Sequence, residues 1–119
     1  MALVSSHTLN GVDGTHAGGI PVRLIHLTTG NVLVETSTDA GGRLSLPVDL
    51  AAFDQNDRYE LVFLPKDYWE SRGMKPDHLM DEIVLRFTMP DPEARYHMPI
   101  ILSPHGYSMW QSVPEQMDG

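Results

Sequence analysis

The chain contains no cysteine, which excludes a disulfide framework, a thiolate nucleophile and thiolate metal sites. Basic residues are also scarce: 8 stand against 16 acids, for a formal charge of −8. They are scattered singly, so no basic patch is offered to nucleic acid or an anionic membrane. No run approaches the ~18 apolar residues of a membrane span. Residues 1–10 have neither the basic start nor the apolar run of a signal peptide. These absences predict a soluble, acidic, cytoplasmic protein with no nucleic-acid or membrane partner. The 119 residues fit a single domain over residues 1–113, with 114–119 expected as a flexible C-terminal tail.

What the chain does have is regular punctuation. Turn residues fall at Asn10-Gly11, Asp13-Gly14, Gly18-Gly19, Gly30-Asn31 and Gly41-Gly42, and again at Asn56-Asp57, Gly73, Pro90 to Pro92 and Pro104 to Gly106. Short segments between such signals predict an all-β sandwich or barrel. Tyr59, Leu61 and Phe63 alternate with polar or smaller neighbours, as do Ile83, Leu85 and Phe87, and more weakly Val32, Val34 and Thr36. Each reads as a strand with one face on a core. In Ile20 to Leu27 the apolar set changes phase at Leu24-Ile25, which a bulge or burial on both faces explains. Only Pro65 to Arg72 reads as a helix, opened by a proline, stopped by Gly73, with Tyr68 and Trp69 on its buried side.

The segment Arg95 to Ser103 is the most informative. Tyr96, Met98, Ile100 and Leu102 form one apolar face, so His97 points to the opposite face beside Arg95 and Ile101. Taken alone, His97 is a histidine on a solvated strand face, or a titratable group held rigidly enough to act as a general base. His7 poses the same question after Ser5 and Ser6, and Arg43 follows Gly41-Gly42 at a turn into a strand. Alternation alone does not say whether the three meet. Other chemistries are poorly served. Six histidines without HxH or HxxxH spacing disfavour a metal site. No serine sits in a G-x-S-x-G elbow. Gly11 to Gly19 lacks the Gly-Lys-Ser/Thr of a phosphate cradle. His16, His26, His78 and His105 belong to no motif.

Three stretches together resemble a known family. Val4-Ser5-Ser6-His7-Thr8-Leu9-Asn10, Thr38-Asp39-Ala40-Gly41-Gly42-Arg43, and Arg95 to Ser108 are similar to the three signatures of transthyretin-like proteins, in the 5-hydroxyisourate hydrolase branch. The resemblance runs in order over residues 4–113. It implies a β-sandwich of two four-stranded sheets with one short helix. It also implies a homotetramer, a dimer of dimers with channels at the dimer–dimer interface. His7, Arg43 and His97 match the family's catalytic set, for a purine-breakdown hydrolase that opens a cyclic ureide or imide ring by His-assisted water attack. No metal or organic cofactor is implied, only a small-molecule substrate.

The chain departs from the family at the pocket wall. The ending Tyr-Arg-Gly-Ser is replaced by Trp110-Gln111-Ser112-Val113, with six more residues following. The family's His-Tyr-His is Arg95-Tyr96-His97, and an aromatic-Pro segment is replaced by Leu79-Met80-Asp81. The implied substrate-binding residues are therefore Trp110, Gln111 and Ser112 with Arg95 and Ser108. An acid–base core with an altered wall also suits a same-fold enzyme for another ring substrate, by lactone or lactam opening, cyclisation or isomerisation. A non-catalytic carrier, the third reading, has no evident use for the His-Arg-His set.

Overall fold

The structure, a computed structural model, describes residues 1–74 and 79–117. Ten strands and one helix follow in the order β1 (Ala2–Asn10), β2 (Pro21–His26), β3 (Asn31–Ser37), β4 (Arg43–Val48), β5 (Arg58–Phe63), α1 (Lys66–Glu70), β6 (Ile83–Thr88), β7 (Ala94–His97), β8 (Ile100–Ser103), β9 (Gly106–Met109) and β10 (Glu115–Gln116). They form two sheets. One is four-stranded, in the order β3-β2-β5-β6; the other holds β10-β7-β1-β8-β9 with β4 on the free side of β1. Of the sandwich or barrel expected from the turn spacing, this is the sandwich, as the family resemblance implied, with the inner faces of both sheets making one core.

The second sheet has six strands rather than four because two of its four positions are broken. Arg95 to Ser103 is not one strand: it splits at Met98-Pro99, where a proline has no N–H to give to the ladder. Both halves pair parallel with β1 at one offset, Ser5 beside His97 and Thr8 beside Ile100. The outer position splits likewise into β9 on β8 and β10 on β7. Ile100 faces Met109 and Arg95 faces Glu115, so six steps on the edge oppose five within. The stretch 114–119 expected as a tail thus carries a two-residue strand, and 118–119 lie outside the described residues.

The faces predicted around Tyr59, Ile83 and Tyr96 are where alternation put them, but Val32, Val34 and Thr36 do not share a core face: Val34 pairs with buried Leu24, whereas Val32 pairs with Ile25 and is half-exposed. Tyr96, Met98, Ile100 and Leu102 are wholly buried, each worth roughly 1.5–3 kcal/mol of apolar transfer. Against them pack Val22, Leu24, Tyr59, Leu61 and Phe63 of the other sheet. The phase change read at Leu24-Ile25 is no bulge of β2, which alternates Val22, Leu24 and His26 inward and pairs with β5 without a shift; the extra residue in the pairing is Leu33 on β3. Helix α1 is shorter than the predicted Pro65 to Arg72, with Tyr68 and Trp69 buried as expected. The Arg72 guanidinium lies 3.8 Å above the Tyr68 ring, and Gly73 follows at φ +83°.

Strand β1 carries the division of labour between the sheet's faces. Ser6, Thr8 and Asn10 point inward and are buried. Each is satisfied: Ser6 Oγ donates to the Met98 carbonyl at 2.6 Å, Thr8 Oγ1 to Ala17 and Gly42 carbonyls, and Asn10 Nδ2 to the Tyr68 hydroxyl at 3.0 Å. Polar residues inside the sandwich therefore pin the loops against β1. Ser5, His7 and Leu9 are left for the outer face.

Candidate active site

Three strands bring chemistry to that outer face. In the pairing of β1 with β4, His7 stands directly opposite Arg43 and Ser5 opposite Ser45. On the other side of β1, Ser5 stands beside His97. Side chains on one face at such positions are neighbours, with Cβ atoms about 5 Å apart. The sequence could not decide whether His7, Arg43 and His97 meet; the register puts them on one face within two residue steps.

Local structure explains why Arg43 is delivered there. Asp39 Oδ1 accepts the backbone N–H groups of Gly41 and Arg43, at 3.0 and 2.8 Å, closing a turn before β4. Gly42 is in the left-handed region at φ +76°, and a Cβ there would sit 2.3 Å from the Thr8 carbonyl oxygen. Only glycine lets the turn press this closely against β1. Asp39, whose carboxylate serves the turn, also lines a hollow of about 180 Å³ with Ser5, Ser6, Arg43, Leu44, Ser45 and Arg95. The two histidines flank that hollow on the same face.

Each imidazole has defined partners. Ser5 Oγ lies 2.8 Å from His97 Nδ1 and accepts the Arg95 Nε–H at 3.2 Å. His7 Nε2 lies 3.0 Å from the Gly41 carbonyl oxygen and 2.8 Å from His16 Nδ1. The His7 and His16 rings stack, with centroids 4.9 Å apart and planes at 24°. Burial, then the Arg43 guanidinium, holds the His7 pKa below the ordinary imidazole value of 6.5. Burial, then Arg95 and Arg43, does the same for His97, opposed by Glu115. Both rings are thus biased toward the neutral form, as acid–base work near pH 7 requires.

His16 and Ser5 contact the two candidate imidazoles, which spacing did not reveal. His16 arrives through a loop built by its own turns. Asn10 Oδ1 accepts from Val12 and Asp13, Asp13 Oδ1 accepts from Thr15, and Leu9 bridges to His16. The Asn10-Gly11 and Asp13-Gly14 signals announce this loop but not where it returns. Ser5 stands in the first of the three family-like stretches, but the resemblance assigns it no role.

The other expected residues are distributed more loosely. Ser112 comes to the back of His97, its N–H and Oγ both donating to the His97 carbonyl, at 3.1 and 3.2 Å. Ser108 faces Ile101 on the same sheet face. Trp110 is half-exposed beyond β9, its N–H on the Pro99 carbonyl at 3.4 Å, and Gln111 is exposed. His78 lies outside the described residues.

A larger cleft, about 260 Å³, is lined by Leu50, Phe53, Tyr59, Met89 and others. It adjoins a buried His26, whose Nε2 meets Asp57 Oδ2 and whose Nδ1 meets Thr29 Oγ1, both at 2.7 Å. Those partners also accept the N–H groups of Asp54 and Asn31. The trio clamps two turns together.

Comparison with known proteins gives the same direction. The HIUase/Transthyretin family matches residues 4–112. The chain is 35% identical over 112 residues to 5-hydroxyisourate hydrolase 2 of Rhizobium meliloti, covering 91% of this chain and 93% of that one. It is 30% identical over 115 residues to the 5-hydroxyisourate hydrolase of Pseudomonas aeruginosa, covering 93% and 91%. Among solved structures, the 5-hydroxyisourate hydrolase of Klebsiella pneumoniae superposes with a TM-score of 0.77 at 25% identity, covering 95% of this chain and all of that one.

Proposed function

The chain belongs to the HIUase/transthyretin family, and from that premise we propose that it hydrolyses 5-hydroxyisourate or a closely similar cyclic ureide. The observation that carries the reading is the convergence of His7, Arg43 and His97 on one sheet face, two imidazoles biased to the neutral form beside a guanidinium. Opening the ring needs a water deprotonated next to an imide-like carbonyl. A neutral imidazole takes that proton and returns it to the departing ring nitrogen. Arg43 offers a two-pronged donor to the carbonyl oxygen on which charge develops. Arg95, Ser108, Trp110, Gln111 and Ser112 form the wall against which the ring rests, Trp110 by stacking. No metal or organic cofactor enters the reaction.

The test uses 5-hydroxyisourate made freshly from urate by urate oxidase, followed by the decay of its ultraviolet absorbance. Decay much faster than the spontaneous rate is the expected result. Decay at the spontaneous rate overturns the proposal and turns the search to another ring substrate for the same acid–base set.

The hollow is smaller than the 300–1,000 Å³ usual for a ligand pocket and lies on an open sheet face. A second copy of the chain laid over that face would enclose it, which supports a homo-oligomer, proposed as a dimer of dimers. Light scattering in solution is expected to give the mass of four chains; the mass of one chain would overturn this.

A further inference from the structure

We infer that the two imidazoles are locked in opposite roles by their neighbours. The Gly41 carbonyl and His16 leave His7 with a bare Nδ1 to take and return the proton, while Ser5 and Arg95 keep Nε2–H on His97 as a donor to the developing oxyanion. The inference rests on the proposed hydrolase reading and divides the labour within it.

The assignment follows from what each partner can do. Gly41 offers His7 Nε2 only a carbonyl oxygen, at 3.0 Å, and a carbonyl accepts. A proton on Nε2 satisfies that oxygen and the His16 Nδ1 lone pair 2.8 Å away; a bare Nε2 would face the oxygen lone pair to lone pair. Neutral His7 therefore carries its proton on Nε2, and Nδ1 is the base. For His97 the logic reverses. Ser5 is buried, and its Oγ already accepts the Arg95 Nε–H. The hydroxyl has one hydrogen to place, and His97 Nδ1 at 2.8 Å is the acceptor available to it. With Nδ1 accepting, the proton of neutral His97 sits on Nε2, turned away from Ser5.

The reaction then balances without a charged intermediate on His97. His7 Nδ1 takes a proton from water, and the hydroxide forms the new C–O bond. Arg43 and His97 Nε2–H hold the oxyanion by hydrogen bonds alone. The C–N bond breaks as the His7 imidazolium gives its proton to the ring nitrogen, and the new carboxyl group loses its proton to solvent. His7 ends neutral, and His97 stays neutral throughout. Ser5, Arg95 and His16 are positioning residues: they act through the imidazoles.

The experiment labels histidine with a heavy nitrogen isotope and records long-range nitrogen–proton correlation spectra, which distinguish the two ring tautomers, on wild-type protein and on Ser5→Ala. The expected spectra show Nε2–H on both His7 and His97 in the wild type. In Ser5→Ala the His97 signal becomes a mixture of tautomers while His7 is unchanged. Turnover in that variant is expected to fall about tenfold, the loss of one hydrogen bond, at unchanged KM. Ser5→Thr, which keeps the hydroxyl, restores both readouts. A proton on His97 Nδ1 in the wild type overturns the inference, as does a His97 signal unmoved in Ser5→Ala. The spectra need no substrate, so a protein that left 5-hydroxyisourate untouched would sink the hydrolase reading without disturbing the tautomers.

Discussion

Alanine in place of His97 is expected to lower turnover of 5-hydroxyisourate by about 10²–10³-fold, the loss typical of one preorganised donor to an oxyanion. The fold should survive. His97 is half-buried on the outer face of the sheet, and the core residues beside it, Tyr96 and Met98, keep their places. The pH profile carries the finer test. In the wild type, kcat/KM should fall only below pH 6.5, because burial and Arg43 depress the His7 pKa and so keep the base unprotonated to lower pH. A depressed pKa means the rate is full above it and is lost as pH falls through it. In His97→Ala this acid limb should persist, since burial and the Arg43 charge that depress His7 remain. Steady-state rates between pH 5 and 8, with circular dichroism to confirm folding, decide the matter. A His97→Ala protein as fast as the wild type would remove His97 from the chemistry.

Alanine in place of Gly42 should be the most damaging change to the fold near the site. Its Cβ would meet the Thr8 carbonyl oxygen at 2.3 Å, a backbone atom that cannot swing aside, and the left-handed φ of +76° adds its own penalty. The left-handed conformation costs an L-residue about 1–2 kcal/mol, and displacing packed backbone adds about 1–3 kcal/mol. Thermal unfolding should therefore drop by roughly 10–20 °C. Activity should fall further than stability, because the same shift pushes β4 off β1 and carries Arg43 away from His7. Alanine at Gly14, where nothing lies within 4 Å of the added Cβ, is the control: its φ of +77° imposes the backbone penalty alone. Equal melting temperatures for the two variants would show that the contact with Thr8 is not what matters.

These effects bear on how far the residues could be read before folding. The alternation of Tyr59, Leu61 and Phe63, and of Tyr96 to Leu102, was legible because a core on one side imposes period two. That pattern correctly turned His97 away from the core. The motifs placed His7 and Arg43, but only strand register shows that they stand opposite each other, and register is a property of the pair. His16 was invisible for a related reason: its approach to His7 depends on the path of the loop that follows β1, stabilised by the Asn10 and Asp13 side chains. The break at Met98-Pro99 has its cause in the proline, though the apolar alternation from Arg95 to Ser103 runs across it and reads as one segment; β10 could not be read at all, since two residues are too few to alternate.

The pairing of Ser5 with His97 spans 92 residues of chain, and the parallel ladder of β1 with β7 and β8 has the same span throughout. Bringing such distant segments together is entropically costly and tends to come late in folding. The β1–β4 half, with His7 and Arg43, closes a loop of fewer than forty residues and can form without the other. During refolding, a partly ordered chain would then hold the base and the guanidinium but lack His97. Recovered activity is for that reason a reporter of the final closure of the molecule, end upon end.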